Sequence, residues 1–205
     1  MNLFRFYHSG IIHIGSLIYR MLWKPFYGSL GKGTIIIKPR VFNPSCIYIG
    51  RKCSIEHFVW LAVVERRLSK VKNPRLIVED EVKIGRLSEI FVHTSVVLHK
   101  GVRTADNVYI SDNTHTYENI NIPFNRQEIK LVNAVEIGEN CWIGRNACIV
   151  GSTIGKHCVV AANAFVCNRV VPDYCVVAGT PAYIIKRYNT ITGKWDKTDK
   201  EGNFL

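Results

Sequence analysis

The chain is expected to fold as an all-β solenoid, a stack of short parallel strands wound into coils of triangular section. From Val135 to Pro181 a branched aliphatic residue, mostly followed by Gly or Ala, returns every sixth place: Ile137-Gly138, Ile143-Gly144, Ile149, then Ile154-Gly155, Val160-Ala161 and Val166. A small residue stands four places further on, at Cys141, Ala147, Cys158 and Ala164. A six-residue period fits neither the 3.6 of a helix nor the 2 of a simple strand. It fits a coil in which each hexad makes one strand and one corner, and three hexads close a triangle. The aliphatic residue points inward, and the small residue lets the backbone turn tightly.

Taken in order, residues 1–30 read as a helix and cap. Phe4, Tyr7, Ile11, Ile14, Ile18 and Met21 recur at steps of three and four and share one stripe. Arg5 and Arg20 leave an uncharged stretch too short to span a bilayer, and no cleavage signature follows it. Such a helix would hide the open end of a solenoid; an in-plane membrane anchor with basic flanks is the alternative. Residues 31–182 form the solenoid. Ile49-Gly50, Ile55 and Leu61 keep the period, as do Val78, Ile84-Gly85 and Ile90, and, after a two-residue slip, Val92, Leu98, Thr104 and Ile110. Two stretches break it: a basic loop expected over Ala62–Arg75, and a longer polar excursion over Asn113–Asn133 that carries His115. Long excursions from a regular scaffold are usually functional or disordered, and His115 in the second favours function. Residues 183–205 are a C-terminal tail.

Composition narrows the function. The formal net charge is +11 and 47% of residues are hydrophobic. That charge suits a phosphate-bearing ligand or an anionic membrane face. Nucleic acid is not expected, because no recognition signature accompanies the charge. The seven cysteines form no Cys-x-x-Cys and are odd in number, so they read as free thiols in a reducing compartment, with no metal site. His93 and His99 fall on successive strands facing different sides, and His57 and His157 fall at or beside hexad corners.

Four segments, NVYISDNTH (107–115), VEIGENCWIGRNACI (135–149), IGKHCVVAANAFV (154–166) and VVAGTPAYIIKR (176–187), resemble the bacterial hexapeptide-repeat acyltransferases. The branch they are most similar to holds the maltose, galactoside and xenobiotic O-acetyltransferases and the sugar acetyltransferases of surface-polysaccharide gene clusters. The resemblance implies a left-handed parallel β-helix, a homotrimer, and acetyl-CoA bound in the cleft between neighbouring subunits. It also implies direct acetylation of a hydroxyl, with the catalytic His in the segment matching ISDNTH.

His115 is therefore the expected general base, a task that suits an imidazole. Asp112 would orient its ring or accept from a sugar hydroxyl. Trp142 matches the aromatic residue beside the family's cleft, Arg145 an acetyl-CoA contact, and Ala162 the small residue over the pantetheine arm. Cys167 and Asn168 stand where relatives usually carry Thr-Lys, so one phosphate contact of the family is missing and Arg169 follows instead. Lys186 and Arg187 would meet CoA phosphates. Asn113 and Tyr117 are expected at the acceptor, with Phe124 as a second stacking ring. No His-x-x-x-x-His follows His115, which argues against the γ-type carbonic anhydrase of the same fold. The expected function is acetyl transfer to a saccharide of the bacterial surface (O-antigen, capsule or exopolysaccharide). The expected place is the cytoplasm or the cytoplasmic face of the inner membrane. Another small acceptor (antibiotic, amino sugar or amino acid) and a non-catalytic scaffold are the alternatives.

Overall fold

A computed structural model describes residues 3–64 and 73–205, with side chains from Gly10 onward. Three parallel sheets form the three faces of the solenoid. The first face stacks Ser29–Leu30, Ile47–Ile49, Arg75–Val78, Ser95–Leu98, Val135–Ile137, Thr153–Ile154 and Val170–Val171. The second stacks Ile35–Ile36, Ser54–Ile55, Lys83–Ile84, Arg103–Thr104, Trp142–Ile143, Val159–Val160 and Cys175–Gly179. The third stacks Arg40–Phe42, Trp60–Val63, Glu89–Val92, Tyr109–Ser111, Cys148–Val150 and Phe165–Cys167. The chain visits the faces in rotation, so every strand pairs with its counterparts one coil before and after.

The registers put the hexad aliphatics in columns. Ile49, Val78, Leu98, Ile137 and Ile154 are in line on the first face. Thr104, Ile143, Val160 and Val177 are in line on the second, and Leu61, Ile90, Ile110, Ile149 and Val166 on the third. All are buried, with relative exposures of 0–3%. Full burial of one such aliphatic contributes roughly 1.5–3 kcal/mol, and the columns join into one continuous core.

Corners are the costly part. Asn107, Asn140, Asn146, Asn163 and Asn168 turn them in the left-handed conformation, with φ of 51–59°, which Asn tolerates better than most residues. Phe58, Leu87 and Tyr174 adopt it too. Each of these three donates its backbone N–H to the preceding coil (to Lys38, His57 and Lys156 O), which holds the strained turn. Gly85 needs its lack of a side chain, because a Cβ there would sit 2.2 Å from Ala105 O.

The expected first loop begins later than the period suggests. Ala62 and Val63 continue a third-face strand paired to Phe91 and Val92, and Val63 is fully buried. Residues 65–72 lie outside the described residues. The second excursion is an ordered hairpin arm: Asn113–His115 pairs antiparallel with Ile129–Leu131. Beyond the last coil, Ala182–Asn189 and Lys194–Lys197 extend the second face as antiparallel strands.

At the other end the helix Leu3–Trp23 lies against the first coil. Ser16 Oγ accepts from the backbone N–H of Ile36 (2.9 Å), and Tyr19 and Tyr27 join their hydroxyls (2.8 Å). The predicted stripe is not the covering face: Ile11, Ile14, Ile18 and Met21 are 52–73% exposed, whereas Ser16 is buried. For Phe4 and Tyr7 the prediction concerns side chains outside those described. No helix among the described residues is long and apolar enough to cross a membrane.

His99 links three coils on the outside. Its Nδ1 meets Glu79 Oε1 at 3.1 Å and its Nε2 meets Glu136 Oε1 at 2.7 Å. Partial burial opposes the charged ring, but the two carboxylates outweigh it and raise the pKa above the usual histidine value. A raised folded pKa contributes stability in full below the unfolded value of about 6.5, and the contribution disappears as pH rises through the folded value. Stability of the wild type should therefore fall over that interval. Thermal unfolding of His99→Gln across it should lack this component.

Candidate active site

The arm leaves the solenoid at the corner between the third and first faces. Ser111 Oγ donates to Asn113 O (3.0 Å) and accepts from Asn113 N (3.1 Å). Val132 N donates to Asp112 O (2.9 Å) and closes the base of the hairpin. Asp112 is fully buried here. Its carboxylate accepts from the backbone N–H groups of His93 (2.7 Å), Thr94 (2.6 Å) and Ser95 (2.8 Å), from Thr94 Oγ1 (2.9 Å) and from Asn113 Nδ2 (2.9 Å). Those five bonds engage both oxygens with the neighbouring corner, and none reaches the His115 ring. Asn113 turns inward likewise, its Nδ2 bonding Asp112 and, at 3.4 Å, Phe91 O. In this structure both residues hold the corner from which the arm springs.

His115 is the last residue of the outgoing arm strand, paired with Ile129, and it is exposed. Its imidazole makes no hydrogen bond among the described residues. The arm that carries it is cross-braced beyond that point. Thr116 N donates to Glu128 O (3.2 Å), and Gln127 Nε2 donates to Asn119 O (2.9 Å) and Ile122 O (2.7 Å). The Lys130 ammonium binds the Glu118 carboxylate and holds its pKa down at about 2. Tyr117 and Phe124 are 72% and 66% exposed on the same arm, with Ile120 beside them.

Trp142 and Arg145 lie elsewhere, around the edge between the second and third faces. They line a cleft of about 490 Å³ with Lys83, Arg86, Arg103 and Asp106. Asp106 binds Arg86 in a two-pronged pair (2.7 and 3.1 Å), which holds its carboxyl below the usual range. Arg103 is in register with Trp142 on the preceding coil. Arg103 is not among the residues the sequence points to, although its signal is there: it fills the outward slot just before an inward residue, as Lys83 and Trp142 do. Ala162 follows Arg145 on the next coil of this edge. A Cβ on Gly144 would stand 2.5 Å from Ala162 N, so the coils touch backbone to backbone. Asn107, Asn146 and Asn163 form a side-chain ladder down the corner (2.9 and 3.0 Å), and Thr180 Oγ1 closes it on Asn163 O (3.0 Å).

The remaining predicted contacts divide. Cys167 and Asn168 stand on the arm's own edge, where Asn168 Oδ1 accepts from Asn133 Nδ2. Arg169, the residue expected to stand in for the family's Lys, places its guanidinium 4.7 Å over the Tyr183 ring. Lys186 is exposed on the first antiparallel strand, whereas Arg187 donates from Nη1 to Gly202 O (3.1 Å). His93 and His99 each follow a strand, at different corners, rather than lying within it, and no group of three His, Cys, Asp or Glu that could hold a metal occurs among the described residues. One edge of the chain thus carries His115, Cys167 and Asn168. Another carries Arg145 and Ala162, with Trp142 on the adjoining face.

Known proteins share this architecture. Residues 134–167 match the family model described as the hexapeptide repeat of succinyl-transferase. The Escherichia coli (strain K12) protein WbbJ, named for O-acetyl transfer in lipopolysaccharide biosynthesis, is 30% identical over 178 residues, covering 79% of this chain and 89% of its own. The chain belongs to the hexapeptide-repeat acyltransferase family. Among solved structures, a variant of the N-acyltransferase AntD from Bacillus cereus, in complex with dTDP-4-amino-4,6-dideoxyglucose and coenzyme A, superposes with a TM-score of 0.68. It is 19% identical over 84% of this chain and 90% of that one. A hexapeptide-repeat acetyltransferase from Vibrio cholerae complexed with acetyl-CoA gives 0.55, at 21% identity over 84% and 78%. A maltose O-acetyltransferase from Clostridium difficile gives 0.51, at 22% identity over 82% and 73%.

Because Asp112 satisfies one buried and two half-buried backbone donors, Asp112→Ala should cost about 2–3 kcal/mol or more, at roughly 1–3 kcal/mol for each buried group left unpaired. Denaturant unfolding measures the loss. Hydrogen exchange should show faster exchange at His93, Thr94 and Ser95 before other amides are affected.

Proposed function

We propose that the protein is an acetyl-CoA-dependent O-acetyltransferase for a saccharide hydroxyl in bacterial surface-polysaccharide biosynthesis. The observation that carries this reading is His115: an exposed, unengaged imidazole on a braced arm, within the segment that matches the family's catalytic His. WbbJ's name supports an O-linked product of the cell surface. The AntD and Vibrio cholerae complexes support a sugar nucleotide and acetyl-CoA as the kinds of molecule this fold takes up.

In the proposed reaction a nitrogen of His115 removes the proton of the acceptor hydroxyl as its oxygen attacks the thioester carbonyl carbon. Collapse of the tetrahedral intermediate breaks the C–S bond, and the imidazolium returns the proton to the departing CoA thiolate. The products are the acetyl ester and free CoA. No covalent enzyme intermediate is needed. Asp112 and Asn113 act as positioning residues, since they fix the corner from which the arm leaves. Tyr117 and Phe124 offer rings to the sugar. Trp142, Arg145 and Ala162 receive the donor, with Arg103 added to the cationic wall and Lys186 left for a phosphate.

The two groups of residues stand on different edges of one protomer. They can form one site when the arm edge of one subunit faces the Arg145–Ala162 edge of another, as in a homotrimer of left-handed coils. Exposed Ile120 and Ile122 on the arm suit such a contact. A cytosolic donor places the reaction on the cytoplasmic side.

His115→Ala should lower kcat by at least ~100-fold, the lower end of what a positioned general base supplies, while acetyl-CoA affinity stays within about twofold because the assigned donor contacts lie on other coils. Thiol release with a panel of bacterial saccharides, followed by mass spectrometry, checks donor and acceptor together. More than half of the wild-type rate in His115→Ala would overturn the mechanism. Acetyl esters absent from every saccharide, with amides on amino sugars instead, would overturn the hydroxyl assignment.

A further inference from the structure

The helix that caps the first coil turns its apolar side away from the protein. Ile14, Leu17, Ile18, Met21 and Leu22 are 52–73% exposed, and Phe26 just beyond the helix is 57% exposed. The solenoid already holds the opposite side through Ser16 and Tyr19, so packing of the cap does not account for the outward residues. A continuous apolar patch on an otherwise soluble fold marks a binding surface.

Charge around the patch says what binds there. No Asp or Glu occurs in the chain before Glu56, whereas Arg20, Lys24, Lys32, Lys38 and Lys52 all do; Arg51 does too, but it is paired with Asp80 (2.8 Å). Between the end of the helix and the first coils lies a cleft of about 710 Å³, lined by Arg20, Met21, Lys24, Ser29, Gly31 and Gly50 among others. Arg20 Nε is buried at this cleft and has no hydrogen-bond partner among the described residues. A buried guanidinium N–H without a partner is costly and is suited to a phosphate oxygen. A second copy of the same face would bring like charges together across a low-dielectric contact, which is unfavourable. An anionic bilayer meets both features, because its acyl region takes the apolar side chains and its phosphates take the cations.

We infer that this end of the solenoid docks on an anionic phospholipid bilayer, with the helix lying in the plane of the surface and a lipid phosphate received between Arg20 and Lys24. Ile14, Ile18, Met21 and Leu22 enter the boundary between headgroups and chains. The inference is independent of the acetyl-transfer reading, since binding is measured without donor or acceptor.

Flotation of the full chain with vesicles tests it. The protein should float with phosphatidylglycerol–phosphatidylethanolamine vesicles and remain below with pure phosphatidylcholine. Ile14→Glu combined with Ile18→Glu should abolish flotation with an unchanged circular dichroism spectrum, because both positions are exposed. Lys24→Gln should weaken binding about fivefold, in line with the usual contribution of one basic residue near an anionic surface, and should reduce its salt dependence. Wild-type protein that stays below with the anionic vesicles overturns the inference. So does full binding by the double variant, which would leave only diffuse charge attraction. A drop in the sedimenting mass of the lipid-free double variant would also overturn it, and would assign the face to a second copy.

Discussion

Everything in this molecule depends on successive coils lying in parallel register. The hydrogen bonds between coils fix the spacing, and that spacing decides which side chains can occupy a column. An aliphatic residue fits the inside because it fills a short coil without leaving a polar group unpaired. A corner must then turn within about two residues, which explains the left-handed Asn residues and the glycines pressed against the next coil's backbone. The exterior is free by comparison. The proposed chemistry lies there, on an arm and along an edge, held by a scaffold that can vary outside without disturbing the columns.

A stacked solenoid has two ends, and this chain treats them differently. At the last coil, Ala182–Asn189 reverses direction and pairs antiparallel, and Lys194–Lys197 follows it, so the sheet continues with strands that cannot start another coil. At the first coil a helix covers the end and supplies Ser16 Oγ as acceptor for the backbone N–H of Ile36. A polar residue in the covering face and apolar residues in the exposed one reverse the usual arrangement of a cap. That reversal is the observation on which the proposed docking of this end rests.

The core was legible in the sequence because its period is set by one geometric demand repeated many times. Ile137, Ile143, Ile149, Ile154, Val160 and Val166 each meet that demand, and each is buried on the expected face. The helix was legible as a helix but not in its orientation. A stripe at steps of three and four says that one face is apolar, and only the tertiary contacts of Ser16 and Tyr19 say which face the solenoid takes. Ala62 and Val63 were read as loop because the following basic stretch hid the end of the strand. The arm's position was legible from the broken period. Its hairpin pairing was not, since Asn113–His115 and Ile129–Leu131 alternate too weakly to announce two strands.

Asp112 shows how a motif and a mechanism can part. In the sequence a carboxylate three residues before a histidine suggests a pair that shares a proton. In the fold the two lie on opposite sides of a turn: the carboxylate points into the corner and the imidazole stands out on the arm. The carboxylate's five hydrogen bonds leave it no capacity to orient the ring. If His115 has an orienting partner within an assembled site, that partner must come from a surface brought against the arm. The same holds for the proposed donor contacts, since Arg145 and Ala162 occupy an edge the arm does not overlie. In the proposed assembly each half of the site would be held by its own subunit, and the relation between the halves would depend on the interface between them. Mutations at that interface should then change turnover while leaving the fold of the protomer intact, which separates the proposed trimer from a scaffold whose edges serve only to bind.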